Sequence, residues 1–334
     1  MTAAEPMQKL INDPANAVAD SLRGFALAHA SMVRLYESPC VLVRRDAPVQ
    51  GKVTVISGSG SGHEPLNTGY VGRGMLDAAC PGDIFTSPTP DQYLAAIDAT
   101  HGGQGVVLIV KNYAGGVLNS EMAMELAAAR AVELASVLVS DDVAVPDKAR
   151  RRGLGGAVLV EKVAGAAADA GYTLEQVVAV SQRASNQVRS MGVALSSCTA
   201  PMLGRPTFRL PAGTMEVGVG IHGEAGRMRI ETTSADAVVE LLLEAVAADL
   251  ELRPGERVLA MVTGLGGTPQ QELYIVYNHL HRMLEAQGVV VERSLVGDFV
   301  TSLDMAGAAV TVLRLDDELL RLWDAPVWTP TLRW

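Results

Sequence analysis

Aromatic residues are scarce in this chain, at 4% of 334 positions. Proteins that bind single-stranded nucleic acid stack bases on aromatic rings, and all nucleic-acid binders neutralise phosphates with an excess of Lys and Arg. Here Lys and Arg number 27 against 37 Asp and Glu, for a net charge of −10. These shortages exclude a nucleic-acid binder, and the lack of a basic stripe removes an anionic membrane surface as partner. Cysteine is sparse as well. Cys40, Cys80 and Cys198 lie far apart, with no CxxC and no Cys/His group at metal spacing, so neither a disulfide framework nor a zinc site is expected. That usage fits a reducing compartment. Apolar runs such as Val106–Val110 fall far short of the ~20 residues that span a bilayer. The opening MTAAEPMQKLINDP lacks the basic start and apolar run of a signal peptide. The expectation is a cytoplasmic protein with no membrane partner.

What is present is a large apolar fraction, 49%, with 19% charged residues, enough for a substantial core and for two domains. Glycine is abundant at 33 residues, pointing to tight turns or backbone-lined sites. Val53–Ser57, Val106–Lys111, Ala135–Ser140, Met215–Ile221, Val258–Val262 and Val310–Leu315 read as strands: short, mostly Val/Ile/Leu-rich, and bounded by Gly, Asp or Pro. Ala15–His29, Ser120–Leu134, Gly156–Ala170, Thr173–Met191, Ala235–Leu250 and Pro269–Gln287 read as helices. The alternation predicts an α/β protein. Ser196–Gly213, rich in Pro and Gly and without helical period, reads as the passage between two α/β domains, 1–195 and 196–334.

Three segments are placed for chemistry. In the first, a strand from Val53 runs into Gly58, Gly60, Gly62 and His63. The spacing is GxGxGH, not the dinucleotide fingerprint GxGxxG. A flexible turn with a surface His is one reading. The other is a ligand site, favoured because ligands collect at the C-terminal ends of strands in α/β sheets. In the second, Met215–Glu224 delivers His222 from another Gly-spaced strand. A neutral imidazole there can act as base or nucleophile; the alternative is a core-edge His bonded to backbone. In the third, Val106–Lys111 ends in Lys111, followed by a glycine turn. Lys111 fits an anion or a ligand hydroxyl, or else a solvated charge at a strand end. His29, His101, His279 and His281 lack such placement and read as structural or exposed. No Walker-type phosphate loop, kinase signature or GxSxG elbow occurs. Asp141–Asp142 and Asp316–Asp317 read as capping or solvated pairs. If phosphoryl transfer is involved, another chain brings the nucleotide.

The segments GSGSGHEP around His63, KNYAGGVLN, SDDVAV, LGGTPQQELY, TSLDMAG, LWDAPVWTP and above all GVGIHGE with His222 resemble the dihydroxyacetone kinase substrate-binding subunit, DhaK, from about Met7 to Pro330. The resemblance implies a two-domain DhaK-like α/β fold, each domain a sheet flanked by helices. It implies a homodimer that binds a short hydroxyketone and carries no cofactor itself. ATP or ADP with Mg²⁺ would sit on a partner DhaL subunit, which a DhaM-type phosphotransferase-system subunit recharges in some systems. The residue matching His222 adds to the ketone carbon to form a hemiaminal, which selects ketones over polyols such as glycerol. The residue matching His63 contacts the ligand and assists proton movement. Gly60, Ser61, Gly62 and Lys111 match the family's ligand-contacting region. The chain departs from the pattern at Gly116, where the family carries an Asp that serves as base for the phosphorylated hydroxyl, and in a smaller way at Gly264, where the family often shows Asn. Two functions follow: a kinase subunit for dihydroxyacetone or a related, larger ketose, or a catalytically impaired paralogue that senses a ketose as a co-regulator. No metal site is expected in the chain.

Overall fold

The computed structural model describes residues 9–334. Its first part runs α1 (Ala17–Ala28), β1 (Val33–Glu37), β2 (Cys40–Arg44), β3 (Thr54–Ser61), β4 (Ala78–Ile84), α2 (Pro90–Thr100), β5 (Val106–Lys111), α3 (Ala114–Ala128), β6 (Leu134–Val139), α4 (Gly156–Asp169) and α5 (Leu174–Asn186). The second runs β7 (Val188–Ala194), β8 (Thr199–Ala200), β9 (Arg205–Pro206), β10 (Thr214–Val217), β11 (Met228–Glu231), α6 (Ala235–Leu250), β12 (Arg257–Gly264), α7 (Gln270–Ala286), β13 (Val290–Gly297), β14 (Gly307–Leu315) and α8 (Asp317–Asp324). Two six-stranded sheets result, in the orders β1-β2-β4-β3-β5-β6 and β11-β10-β7-β14-β12-β13. Strands β4, β3, β5 and β6 of the first sheet are mutually parallel, consistent with the continuous apolar run of β5. The second sheet is antiparallel except for β12 with β13.

The sheets stack with helices between and outside them. The outer face of the first sheet packs on α2 and α3, and that of the second on α6 and α7. Between them lies α4, whose residues are all buried except Asp169. Its sequence GAVLVEKVAGAAAD is narrow enough for backbone to approach closely. A Cβ on Gly165 would stand 2.3 Å from the Cα of Met75. The central apolar cluster draws on both sheets, from Val55 and Val107 to Leu259 and Leu313, with α4 among them. Buried Asp141 accepts from the amides of Leu154 at 2.7 Å and Gly156 at 2.7 Å, fixing the start of α4, and Asp316 caps α8 through the Leu319 amide at 2.8 Å.

Several expected elements shift. The helix over Thr173–Met191 stops at Asn186, because Val188–Ala194 is claimed by pairing with β14 and β10. Hydrogen bonding therefore divides the two sheets at Gln187, earlier than the boundary at 195/196, while the segment 196–213 forms the β8–β9 hairpin within the second half. The helix expected from Ser120 begins at Ala114, taking in Gly115 and Gly116, and Leu134 opens a strand. The strand over Met215–Ile221 ends at Val217, where Gly218 turns with φ of 84°. Strands β1, β2, β4 and β13 and helices α2 and α8 are additional.

Candidate active site

The site lies where the two sheets meet, at the ends of β3 and β5 and in the loop after β10. His63 follows β3 and is fully buried. Its Nδ1–H donates to the carbonyl of Thr301 at 2.8 Å, and the Thr301 amide donates back to the His63 carbonyl at 3.2 Å. This bond selects the tautomer in which Nε2 keeps its lone pair, and Nε2 has no protein partner. Burial, with the neighbouring His222, pushes His63 well below the ordinary imidazole range, so its ring is neutral at physiological pH.

His222 is half-buried, and its ring centroid is 4.8 Å from that of His63, edge to face. It sits in the loop after β10, not at the tip of a longer strand. Its Nδ1–H donates to Glu224 at 2.7 Å and its amide to the other carboxylate oxygen at 3.0 Å. Burial alone would raise the Glu224 carboxyl, but the hydrogen bond and charge of His222 prevail and bring it down to about 2. An ionised Glu224 holds the Nδ1 proton in place and leaves the lone pair of His222 on Nε2. Glu224 is a residue of this cluster that histidine spacing alone did not single out. Arg152, which donates to Asp142 at 2.8 Å and to the Gly218 carbonyl at 2.9 Å, steadies this loop. Phe85 and Tyr113 complete a ring of aromatic walls, with Tyr113 4.7 Å from His222.

Lys111 is buried at the end of β5, not solvated, and its Nζ has no hydrogen-bond partner. Burial pushes the ammonium down, while Glu161 and Asp141 push it back up. Glu161, from the central helix α4, is the second residue that the sequence did not reveal. It is buried with Oε1 accepting from Asn67 at 2.6 Å and Oε2 unpartnered; burial raises its carboxyl and Lys111 lowers it. Three orphaned buried polar atoms, on His63, Lys111 and Glu161, are the kind of vacancy that a polar ligand satisfies.

Two glycines of the first motif have no room for a side chain. A Cβ on Gly60 would lie 2.5 Å from the Thr86 amide nitrogen, and one on Gly62 2.9 Å from the Phe85 ring. They admit the turn after β4. The Ser61 hydroxyl donates to the Gly82 carbonyl at 2.7 Å, so its proton is already committed. Gly116 lies in the first turn of α3 with helical backbone, and a Cβ there would stand 3.6 Å from the Lys111 carbonyl and 3.7 Å from Ser87 Oγ. The missing side chain leaves space beside the site. Among the described residues, no group of three or more His, Cys, Asp or Glu is arranged to hold a metal ion. His29, His101, His279 and His281 do not enter the site; His279 packs between α7 and α6 near Asp236 and Glu240.

Residues 23–331 match the Dak1 domain. The chain is 44% identical to the dihydroxyacetone-binding subunit DhaK of the PEP-dependent dihydroxyacetone kinase of Escherichia coli (strain K12), over 98% of this chain and 99% of that one. It belongs to the DhaK family. Its fold superposes on the crystal structure of the dihydroxyacetone kinase of C. freundii with a TM-score of 0.90 at 36% identity, covering 98% of this chain and 60% of that longer one. It also superposes on the dihydroxyacetone kinase operon co-activator Dha-DhaQ, with a TM-score of 0.87 at 29% identity, over 92% of this chain and 96% of that one. The two-sheet α/β architecture is thus the DhaK fold. No helix among the described residues is long and apolar enough to cross a membrane.

Proposed function

We propose that this chain is the hydroxyketone-binding subunit of a dihydroxyacetone-type kinase. It holds dihydroxyacetone or a related short ketose as a hemiaminal on His222, and a DhaL-type subunit carrying ATP or ADP with Mg²⁺ phosphorylates the terminal hydroxyl. A DhaM-type subunit would recharge the nucleotide where the donor is a phosphotransferase system. The observation that carries the reading is the His222–Glu224 pair at 2.7 Å, with the His222 ring 4.8 Å from that of His63, whose Nε2 has no protein partner. The lone pair of His222 Nε2 adds to the carbonyl carbon, and the C=O π pair moves to oxygen. The proton that Nδ1 gives up to Glu224 is passed on through solvent to that oxygen, so Glu224 ends as the carboxylate, the adduct is neutral and nothing leaves. His63 Nε2 accepts a hydrogen bond from a ligand hydroxyl, and Lys111 donates one. Covalent fixing holds the terminal hydroxyl for in-line attack on the phosphoryl group. Exposed Leu118, Met122 and Leu126 on α3, beside exposed Leu138 on the edge strand β6, offer an apolar face for the second copy of a homodimer.

A co-regulator is the second reading, supported by Gly116 and by the likeness to an operon co-activator. NMR of the chain with dihydroxyacetone isotope-labelled at its carbonyl carbon tests the binding. Wild type should move that carbon from the ketone to the tetrahedral region, and His222→Ala should not. An unshifted ketone signal in wild type, or equal retention by His222→Ala, refutes the reading. Phosphorylation assays with a cognate DhaL then separate kinase from sensor.

A further inference from the structure

Phe85 has a backbone that a bulky residue rarely adopts, with φ of 58° in the left-handed region. Such conformations persist only where the surroundings impose them, and they cluster at functional sites. The imposition is visible on several sides. The Phe85 amide donates to the Ser61 carbonyl at 3.0 Å. Gly60 has no side chain where a Cβ would stand 2.8 Å from the Phe85 Cα, and Gly62 none where it would meet the ring at 2.9 Å. Leu303, also left-handed at 53°, donates to the Gly62 carbonyl at 2.8 Å and packs in the same cluster as Phe85. The result is a ring stacked on His63, with centroids 5.0 Å and planes 16° apart, and set against His222 at 5.3 Å and 81°. Phe85 forms no hydrogen bond through its ring, and its strain has no other visible return.

We propose that Phe85 is a positioning residue for ketone addition: its ring clamps the His63 imidazole in the one orientation that donates Nδ1–H to Thr301 and leaves Nε2 open to the ligand. Gly60 and Gly62 of the GxGxGH segment serve this clamp. The clamp also covers one face of His63 against water. This extends the hydroxyketone reading and rests on it for its effect on the reaction, but the clamp itself is a property of the free protein. The charged and titratable groups around His63 are His222, Lys111 and Glu224, and the Thr301 carbonyl is its hydrogen-bond acceptor. Changing Phe85 removes none of these groups and no charge, and with the His222 signals followed alongside, a change confined to His63 reports the ring.

The test is NMR of isotope-labelled histidine in the ketone-free protein, for wild type, Phe85→Ala, Phe85→Leu and Phe85→Tyr. Wild type should show His63 as a single neutral tautomer protonated on Nδ1 between about pH 5 and pH 8. In Phe85→Ala the tautomers should mix, and the protonation midpoint should rise by about one unit or more as water reaches the ring. Phe85→Leu, which keeps apolar volume and is the variant least able to unfold the loop, should still mix the tautomers. Phe85→Tyr should restore the wild-type pattern. With labelled dihydroxyacetone, Phe85→Ala should form the adduct about tenfold more slowly or worse, as misplacement of a reacting group does. A folded Phe85→Leu or Phe85→Ala whose His63 keeps the wild-type tautomer and titration overturns the clamp. A wild type that forms no adduct, with His63 still dependent on Phe85, supports the clamp and overturns the hydroxyketone reading instead.

Discussion

Glu224 decides which nitrogen of His222 is free. The carboxylate can only accept, so Nδ1 must carry the proton and Nε2 the lone pair. Glu224→Gln introduces an amide that can donate to Nδ1, which moves the proton to Nε2 and removes the nucleophile. Adduct formation should then fall by about 10²–10⁴-fold, the range of a lost proton-handling group, with the melting temperature little changed; stopped NMR or adduct kinetics will read it. His63 carries a second consequence. Its native pKa is pushed well below the unfolded value of about 6.5 by burial and by His222. As pH falls below about 6.5, the unfolded chain takes up a proton that the native chain refuses, so stability is lost on acidification, by up to about 1.4 kcal/mol per pH unit. Urea midpoints of wild type and His63→Gln near neutral and near pH 5 will show the smaller acid loss in the variant.

Strand β3 and helix α3 are where single glycines have opposite tolerances. In β3, Gly60 faces the turn after β4 with no room: a Cβ would lie 2.5 Å from the Thr86 nitrogen, which is backbone and cannot swing aside. Gly60→Ala should cost about 1–3 kcal/mol by overpacking and should weaken ketone binding by displacing Phe85; denaturant unfolding and the carbonyl-carbon signal measure both. In α3, Gly116 is helical and its Cβ position is open at 3.6 Å from the nearest neighbour. Gly116→Asp removes a poor helix former and puts a negative charge in the first turn, so stability should rise by about 0.5–1 kcal/mol. If the carboxylate is what the site lacks, dihydroxyacetone turnover with a DhaL-type partner should rise by at most about 10²–10⁴-fold. Turnover of a larger native ketose should fall as the space is filled. Steady-state assays on three- to five-carbon ketoses with both proteins check this. No wild-type turnover on any ketose is the outcome expected of a co-regulator.

The molecule as a whole is joined by α4. One helix packs under β5 on one side and reaches β14 and β7 on the other, and it carries Glu161 to the site and Lys162 to the Leu322 carbonyl at 2.8 Å. Two sheets sharing a buried helix cannot separate without exposing the central cluster. Unfolding should therefore be a single cooperative event across both sheets. Leu159→Ala, deep in that cluster, should cost about 2–5 kcal/mol. Hydrogen exchange should show β5 and β12 amides losing protection by the same amount. Loss confined to the first sheet would mean that the halves unfold separately.

Much of the architecture was legible in the residues. β5, α4 and α6 were placed within a residue or two, because continuous apolar runs and capped amphipathic stretches carry their own period. His63 and His222 were picked out by glycines at strand ends, and GVGIHGE tied them to the DhaK pattern. What sequence could not say came from contacts distant in the chain. Val188–Met191 continues the helical pattern that opens at Thr173, and only pairing with β14, more than a hundred residues later, makes it part of a strand. Lys111 reads as a ligand contact or as a solvated strand-end charge, and its burial by the Gly153 turn is visible only in the fold. Glu161 reads as one polar residue on a helix until that helix proves to be enclosed by both sheets. That the glycines at 60 and 62 also make room for the turn bearing Phe85 is visible only once that turn is found pressed against them. Local pattern determines which segments are regular and which side chains can do chemistry. Which of those side chains lose water and stand within reach of one another depends on packing between the two sheets, and that free energy is not written in any local stretch.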